Sequence, residues 1–489
     1  MNTSLRRLSL LLLVSLVGLG SVAPTASAAQ DPAIRALQDQ LQQVQAALQR
    51  LSEENRALRE HQQDLDRRLA QLSGTAPPAG SAAVPGALAA APQAGSALPG
   101  SSALPDTGAT AASSNPLNAP GNGLRLWGYG EVYYTHPTRE PSQSQFDLAR
   151  AVFGIGYRFD ERTEFNSEYE IEHAVSSASD VGEFEVEQFY VDHRLNDAVA
   201  VRGGLFLMPF GFINEHHEPT NFYGVQRNFV ETLIIPSTWR EGGVSLHGDT
   251  AGGFAWNVGL TTGFDFSKWN FTPEFPPYAN ALELEDSNIA PLQATHQELA
   301  LANAHHLSQY LALSYYGVPG VTLGAAISSG EAVPVPAASG AAAPGTPRVT
   351  LWETHARWAP SRWDFAAIYA RGTVSNTASA NLANPGSPNP IPASFYGYYL
   401  QGAYGLWQHG DYRLNPFARF ERYNMGSSYE GTTGPVIPAG EPWPQNHDRV
   451  WTAGVNFYLG PHVVLKGDYQ WFQVNPGFNR FDLGLGVSF

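Results

Sequence analysis

The C-terminal stretch 479–489, NRFDLGLGVSF, alternates without a break. Phe481, Leu483, Leu485, Val487 and Phe489 fall on one face, and Asp482, Gly484, Gly486 and Ser488 on the other. A period of two is the geometry of a β-strand, whose successive side chains point to opposite sides. The texture recurs upstream. Trp451, Ala453, Val455, Phe457 and Leu459 oppose Thr452, Gly454, Asn456 and Tyr458. Phe165, Tyr169 and Ile171 oppose Glu164, Asn166, Glu168, Glu170 and Glu172. Strands with one apolar and one hydrophilic face build a sandwich or a barrel.

The connections choose between the two. From Leu124 to Phe489 the runs fit 16 strands, with 14 or 18 as the neighbouring counts. Turns after even runs are tiny, as at Asp160-Glu161, Asn196-Asp197, Ala251-Gly252 and Gly460-Pro461. Connections after odd runs are mostly long: 209–239, 265–305, 330–347, 375–394 and 425–447. Short turns on one rim and long loops on the other mark a transmembrane β-barrel. In lipid every backbone N–H and C=O needs a partner, so the sheet must close on itself. The expected fold is therefore an all-β transmembrane barrel of about 16 antiparallel strands, preceded by an N-terminal α-helical coiled coil and a flexible linker. Trp127, Tyr129, Tyr157, Trp352, Trp358, Trp363, Tyr369 and Trp471 are expected at its interfacial girdles.

Composition narrows the function. The 489 residues carry 28 basic and 44 acidic side chains, a net charge of −16, which argues against nucleic acid as a partner. There is no Cys, which removes disulfides and thiolate chemistry. Only Lys268 and Lys466 are lysines. Residues 1–122 hold eight basic and eight acidic residues, so the whole net charge falls on 123–489.

The N-terminal quarter reads as three segments. Residues 1–28 have a basic start (Arg6, Arg7), an apolar run (Leu8 to Leu19) and an Ala26-Ser27-Ala28 cleavage site, the pattern of a signal peptide. Residues 30–73 carry a heptad seam: Ile34, Leu41, Leu48, Asn55, Gln62 and Leu69 at a, and Leu37, Val44, Leu51, Leu58, Leu65 and Leu72 at d. That spacing presents one narrow stripe to a partner helix, expected here in the periplasm. Residues 74–122 are an Ala/Pro/Gly/Ser linker with one charge, Asp106.

The block 202–244, RGGLFLMPFGFINEHHEPTNFYGVQRNFVETLIIPSTWREGGV, and the run 186–195, VEQFYVDHRL, resemble the phosphate-selective porin O and P family. The terminal Phe489 is similar to the closing aromatic of bacterial outer-membrane barrels. The resemblance implies a 16-stranded barrel, a homotrimer, outer-membrane lipid around it and a long third loop folded into the lumen. One departure concerns selectivity. The family's lysine clusters have no counterpart in a chain with two lysines, so phosphate specificity does not carry over.

Residues on the hydrophilic face of each strand are expected to line the pore. On two neighbouring strands these are Glu164, Glu168, Glu170, Glu172, Glu183, Glu185 and Glu187. Arg150, Arg158 and Arg202 lie on the same side, with Glu353, His355 and Arg357 on a later strand and Arg413, Arg419 and Glu421 on another. These charges either pair across strands and solvate the wall, or form a constriction with acid facing guanidinium. The phase breaks after Glu187, where the inner face would continue with Phe189 and Val191; a bulge or a lumen-packed loop would account for it. The segment 209–239 is the candidate constriction loop, with Asn214, Glu215, His216, His217 and Glu218 at its polar part. Adjacent side chains rarely converge on one ion, so neither a metal nor a cofactor is expected there. Its apolar part, 229–236, is expected against the inner wall or a trimer contact.

Passive diffusion of small hydrophilic solutes or ions, weakly favouring cations, follows from these carboxylates. The alternatives are a phosphate or anion channel, as in the resembling family, and an envelope tether that grips peptidoglycan through the coiled coil. An outer-membrane barrel enzyme would need a nucleophile, base and orienter at one rim. No G-x-S-x-G element is present.

Overall fold

The computed structural model describes residues 123–175, 182–273, 289–337, 345–437 and 443–489. The expected signal peptide, coiled coil and linker lie outside them. Seventeen strand segments follow in order: β1 (Leu124–Pro137), β2 (Gln145–Arg158), β3 (Thr163–Glu172), β4 (Glu183–Asn196), β5 (Val199–Leu207), β6 (Arg240–Asp249), β7 (Phe254–Thr262), β8 (Leu307–Tyr315), β9 (Val321–Glu331), β10 (Arg348–Trp358), β11 (Trp363–Val374), β12 (Pro392–Tyr404), β13 (Trp407–His409), β14 (Tyr412–Tyr429), β15 (His447–Tyr458), β16 (Val463–Phe472) and β17 (Arg480–Ser488). Each pairs antiparallel with its neighbours. β12 and β13 both pair with β14, one after the other along its length. They are two halves of one stave, so the barrel has 16.

Closure is direct. β1 pairs with β17 from Tyr129↔Ser488 to Pro137↔Arg480. The last residue extends the seam: Gly128 N–H donates to the Phe489 carbonyl (3.0 Å), and Phe489 N–H donates to the Gly128 carbonyl (2.8 Å). No free sheet edge is left, which is what a hydrocarbon surround requires. Among the described residues, no helix is long and apolar enough to cross a membrane.

The period-two reading fixes which face is which. Phe481, Leu483, Leu485, Val487 and Phe489 are all exposed on the outside, while Asp482 is fully buried inside. Phe153, Ile155, Leu246, Val258, Leu311, Leu313, Ile327, Trp352, Trp358, Trp363, Leu400, Trp451, Leu465 and Trp471 extend this apolar belt around the barrel. Soluble monomers do not leave patches of this size in water. Each such side chain is worth about 1.5–3 kcal/mol when shielded from water, so the belt demands a lipid covering.

Two expectations about facing are settled. In β4 the ladder shifts between Glu168 and Tyr169 of β3, leaving Glu187 as the extra residue of a bulge. Beyond it Phe189 and Val191 point outward and are exposed. Gln188, Tyr190 and Asp192 turn inward, where they meet Glu168, Arg202 and His247. Trp127 and Tyr129 are not girdle residues. The odd positions of β1 face the lumen, and both rings hydrogen-bond to wall or loop groups there.

Candidate functional site

The segment 208–239 crosses the lumen and is mostly buried. Its neck is closed by Asn214. The side-chain amide donates to the carbonyls of Met208 (2.7 Å) and Trp239 (2.9 Å) and accepts from Trp239 N–H (2.7 Å). One residue thus ties the exit of β5 to the entry of β6. Inside the loop, Glu231 accepts from the backbone of Phe212 (2.6 Å) and Ile213 (2.9 Å) and from the Asn228 amide (2.7 Å). Gly211 passes directly over this carboxylate in a left-handed conformation, φ +69°. That conformation favours glycine because it has no Cβ.

Wall carboxylates then hold the loop by its backbone. Phe229 N–H donates to Glu421 of β14 (2.7 Å), and Val225 N–H to Asp468 of β16 (2.6 Å). Asn456 of β15 accepts from Gly224 N–H (3.3 Å) and donates to the Phe222 carbonyl (3.0 Å). Arg419 donates to the Tyr223 carbonyl (3.1 Å), and the Tyr223 hydroxyl to Asp364 of β11 (3.3 Å). Arg480 of β17 donates to Gln226. Hydrogen bonds to charged groups are worth about 1.5–3 kcal/mol each, so these anchors hold the loop against the wall. The apolar part packs on the inner wall: Phe229 lies against Tyr423 and Phe472 (ring centroids 5.6 and 5.4 Å), and Val230 and Ile234 against Gly397.

The expected loop residues divide. Asn214 and His217 are buried, whereas Glu215 and His216 are exposed. Glu218 accepts from the Asn221 amide (2.6 Å). His217 sits against the wall: its ring lies 5.5 Å from that of Tyr129, and its carbonyl accepts from Arg150 (2.5 Å).

The expected wall charges are largely paired along one strand or with the next. Arg150 pairs with Glu131 (2.7 Å), Arg202 with Asp192 (3.1 Å), Arg357 with Asp364 (2.6 Å) and Arg419 with Glu421 (2.6 Å). Glu353 pairs with His355 (2.9 Å), and Glu164 meets Arg125 (3.2 Å) and Arg158 (3.5 Å). Arg413 stacks on Tyr458, 4.6 Å from the ring centroid. Glu185 pairs with Arg240 of β6, which also reaches Glu298 (2.9 Å). Glu168, Glu170 and Glu187 are buried, whereas Glu164, Glu172 and Glu185 are half-buried and Glu183 is exposed. The sequence reading did not select Tyr129, Glu131, Asp192, Glu231, Arg240, Asp364, Lys466, Asp468, Arg480 or Asp482. The inner phase of the last strand already placed Asp482 on the wet face; the partners of Arg240, Glu185 and Glu298, come from distant segments and had no local signal.

The family model "Phosphate-selective porin O and P" matches residues 123–271. A protein of Aquifex aeolicus (strain VF5) designated "Uncharacterized protein" is 30% identical over 358 residues, which cover 71% of this chain and 75% of that one. Among solved structures, the chain is similar to the Salmonella typhi OmpF complex with daunomycin at 13% identity and TM-score 0.48, over 76% of this chain and 98% of that one. It is likewise similar to the anion-selective porin from Comamonas acidovorans at 12% identity and TM-score 0.43, over 75% and 99%.

Proposed function

Because the chain belongs to the phosphate-selective porin O and P family, we propose that this outer-membrane barrel forms a water-filled channel for passive diffusion of small hydrophilic solutes or ions, weakly preferring cations. The observation that carries the reading is the contrast between the two faces of one closed sheet. Outside is a continuous apolar belt; inside is a charged wall crossed by the segment 208–239. Such a loop narrows a wide barrel and makes wall chemistry matter to passing solutes.

The preference for cations rests on exposure as well as on net charge. Arg150, Arg240, Arg419, Arg480 and Lys466 are buried in ion pairs or beneath the loop. Glu164, Glu172, Glu183 and Glu185 remain at least partly exposed. A field lined this way concentrates cations and repels anions. The test is the reversal potential of single channels in a KCl gradient. A modest cation-selective potential is expected; strong anion selectivity, or block by micromolar phosphate, contradicts it.

A second reading is an anion route. It is favoured by Arg419 Nη2, Arg480 Nη1 and Lys466 Nζ, three buried donor atoms on the inner wall that lack hydrogen-bond acceptors. The same potential separates the two. A trimer, and an envelope tether through residues 30–73, remain part of the proposal. Deleting 30–120 should leave conductance intact and weaken envelope integrity.

A further inference from the structure

The crossing loop meets the β3–β4 wall at a cluster that charge pairing alone does not satisfy. Glu168, Glu187 and His217 are all buried, and one ligand-capable atom from each lies within 4.8 Å of the other two. His217 Nδ1 is 2.9 Å from the Asn214 carbonyl, which can only accept. The ring proton is therefore on Nδ1, and the Nε2 lone pair faces the cluster, where without a metal it accepts from the Tyr129 hydroxyl (2.6 Å). Glu187 Oε1 is buried without a hydrogen-bond partner, 3.5 Å from that Nε2. Its other oxygen lies 3.2 Å from the Tyr129 hydroxyl, whose single proton is directed at His217 Nε2 until a metal takes that nitrogen. Glu168 is oriented by Trp127 Nε1 (2.6 Å) and Gln188 Nε2 (2.5 Å). Two cations are near: Arg150 is engaged by Glu131 and the His217 carbonyl, and Arg227 donates to the Ser237 and Thr238 hydroxyls.

We propose that Glu168, Glu187 and His217 form a binding site for a divalent transition-metal ion of the zinc class, which pins the lumen-crossing loop to the barrel wall. One imidazole nitrogen and two carboxylate oxygens suit a borderline ion such as Zn²⁺, whose fourth position water would fill. The histidine and Glu168 already have the outer partners that metal ligands use, a backbone carbonyl for the one and Trp127 and Gln188 for the other; a metal on Nε2 releases the Tyr129 hydroxyl to donate to Glu187. Ligands of tetrahedral zinc stand about 3.3 Å apart, so small side-chain rotations complete the site. The charge balance also improves, because the ion places two positive charges beside carboxylates that face one another. The sequence around His217 conceals this, since the partners come from two strands and not from its neighbours Glu215, His216 and Glu218.

The test is equilibrium dialysis of the purified full chain in detergent micelles, first stripped with chelator and then exposed to zinc chloride, with bound metal measured directly. One zinc per chain is expected, together with a higher unfolding temperature that chelator reverses. Glu187→Gln and His217→Ala should weaken binding at least tenfold, while His305→Ala, which removes the other paired histidine, should leave it unchanged. If His217→Ala does not fold, Glu187→Gln and Glu168→Gln carry the test. Failure of the stripped chain to take up zinc, or wild-type binding by folded Glu187→Gln, overturns the site. The readout does not depend on ion conduction, so it stands apart from the porin reading.

Discussion

Gly486 and Pro219 touch where the loop meets the inner wall: a Cβ at position 486 would stand 2.5 Å from the Pro219 Cβ. The inner face of the closing strand is bare there because the crossing loop occupies the space. Gly486→Ala overpacks this contact, and overpacking costs about 1–3 kcal/mol. A lower unfolding temperature in micelles is expected, with recovery when Pro219→Gly is added. Additive effects of the two substitutions would contradict direct contact.

Asn214→Ala removes all three neck hydrogen bonds and leaves Trp239 N–H without its acceptor. The cost of such a loss is about 1–3 kcal/mol. Because the neck and not the wall is released, single channels should become noisier and more conductive. Unchanged conductance would mean that the loop does not set the narrowest point.

Gly211→Ala forces an L side chain into a left-handed conformation over the Glu231 carboxylate. The backbone term alone is about 1–2 kcal/mol. Gly477→Ala, where the new methyl meets nothing within 4 Å, should be close to neutral in the same thermal assay.

The β2–β3 turn supplies a pH dependence. The N–H of Arg162, with the N–H and hydroxyl of Thr163, holds the Asp160 carboxyl below the usual carboxylate range. A carboxylate with a depressed folded pKa contributes stability above its unfolded pKa and loses it as pH falls through the folded value. The stability difference between the native chain and Asp160→Ala should be constant above about pH 5 and shrink below about pH 4. A difference that grew on acidification would contradict the sign.

The staves were legible because a half-buried strand repeats every two residues, whichever medium covers its apolar face. The alternating stretch 479–489 falls where β17 lies, and the run from Trp451 lies on β15. The β4 bulge was legible as a lost phase after Glu187, which names the place but not the residue that is squeezed out. The break between β12 and β13 was not, since Leu406 and Trp407 keep an apolar texture through it. Trp127 and Tyr129 misled because aromatic rings suit both a lipid interface and a polar lumen, and only the ladder decides. The loop's position in the lumen was what the family resemblance implied; its length marked it out, and its apolar half fitted either the inner wall or a trimer contact. Its anchors were not legible: Phe229 meets Glu421 across 192 residues of chain, and Val225 meets Asp468 across 243.

The barrel is a closed cylinder, apolar outside and wet within. Adding the purified chain in detergent to a planar lipid bilayer under voltage tests it most directly. Discrete, long-lived current steps in KCl are expected. A chain that stays soluble in plain buffer and produces no steps would contradict it.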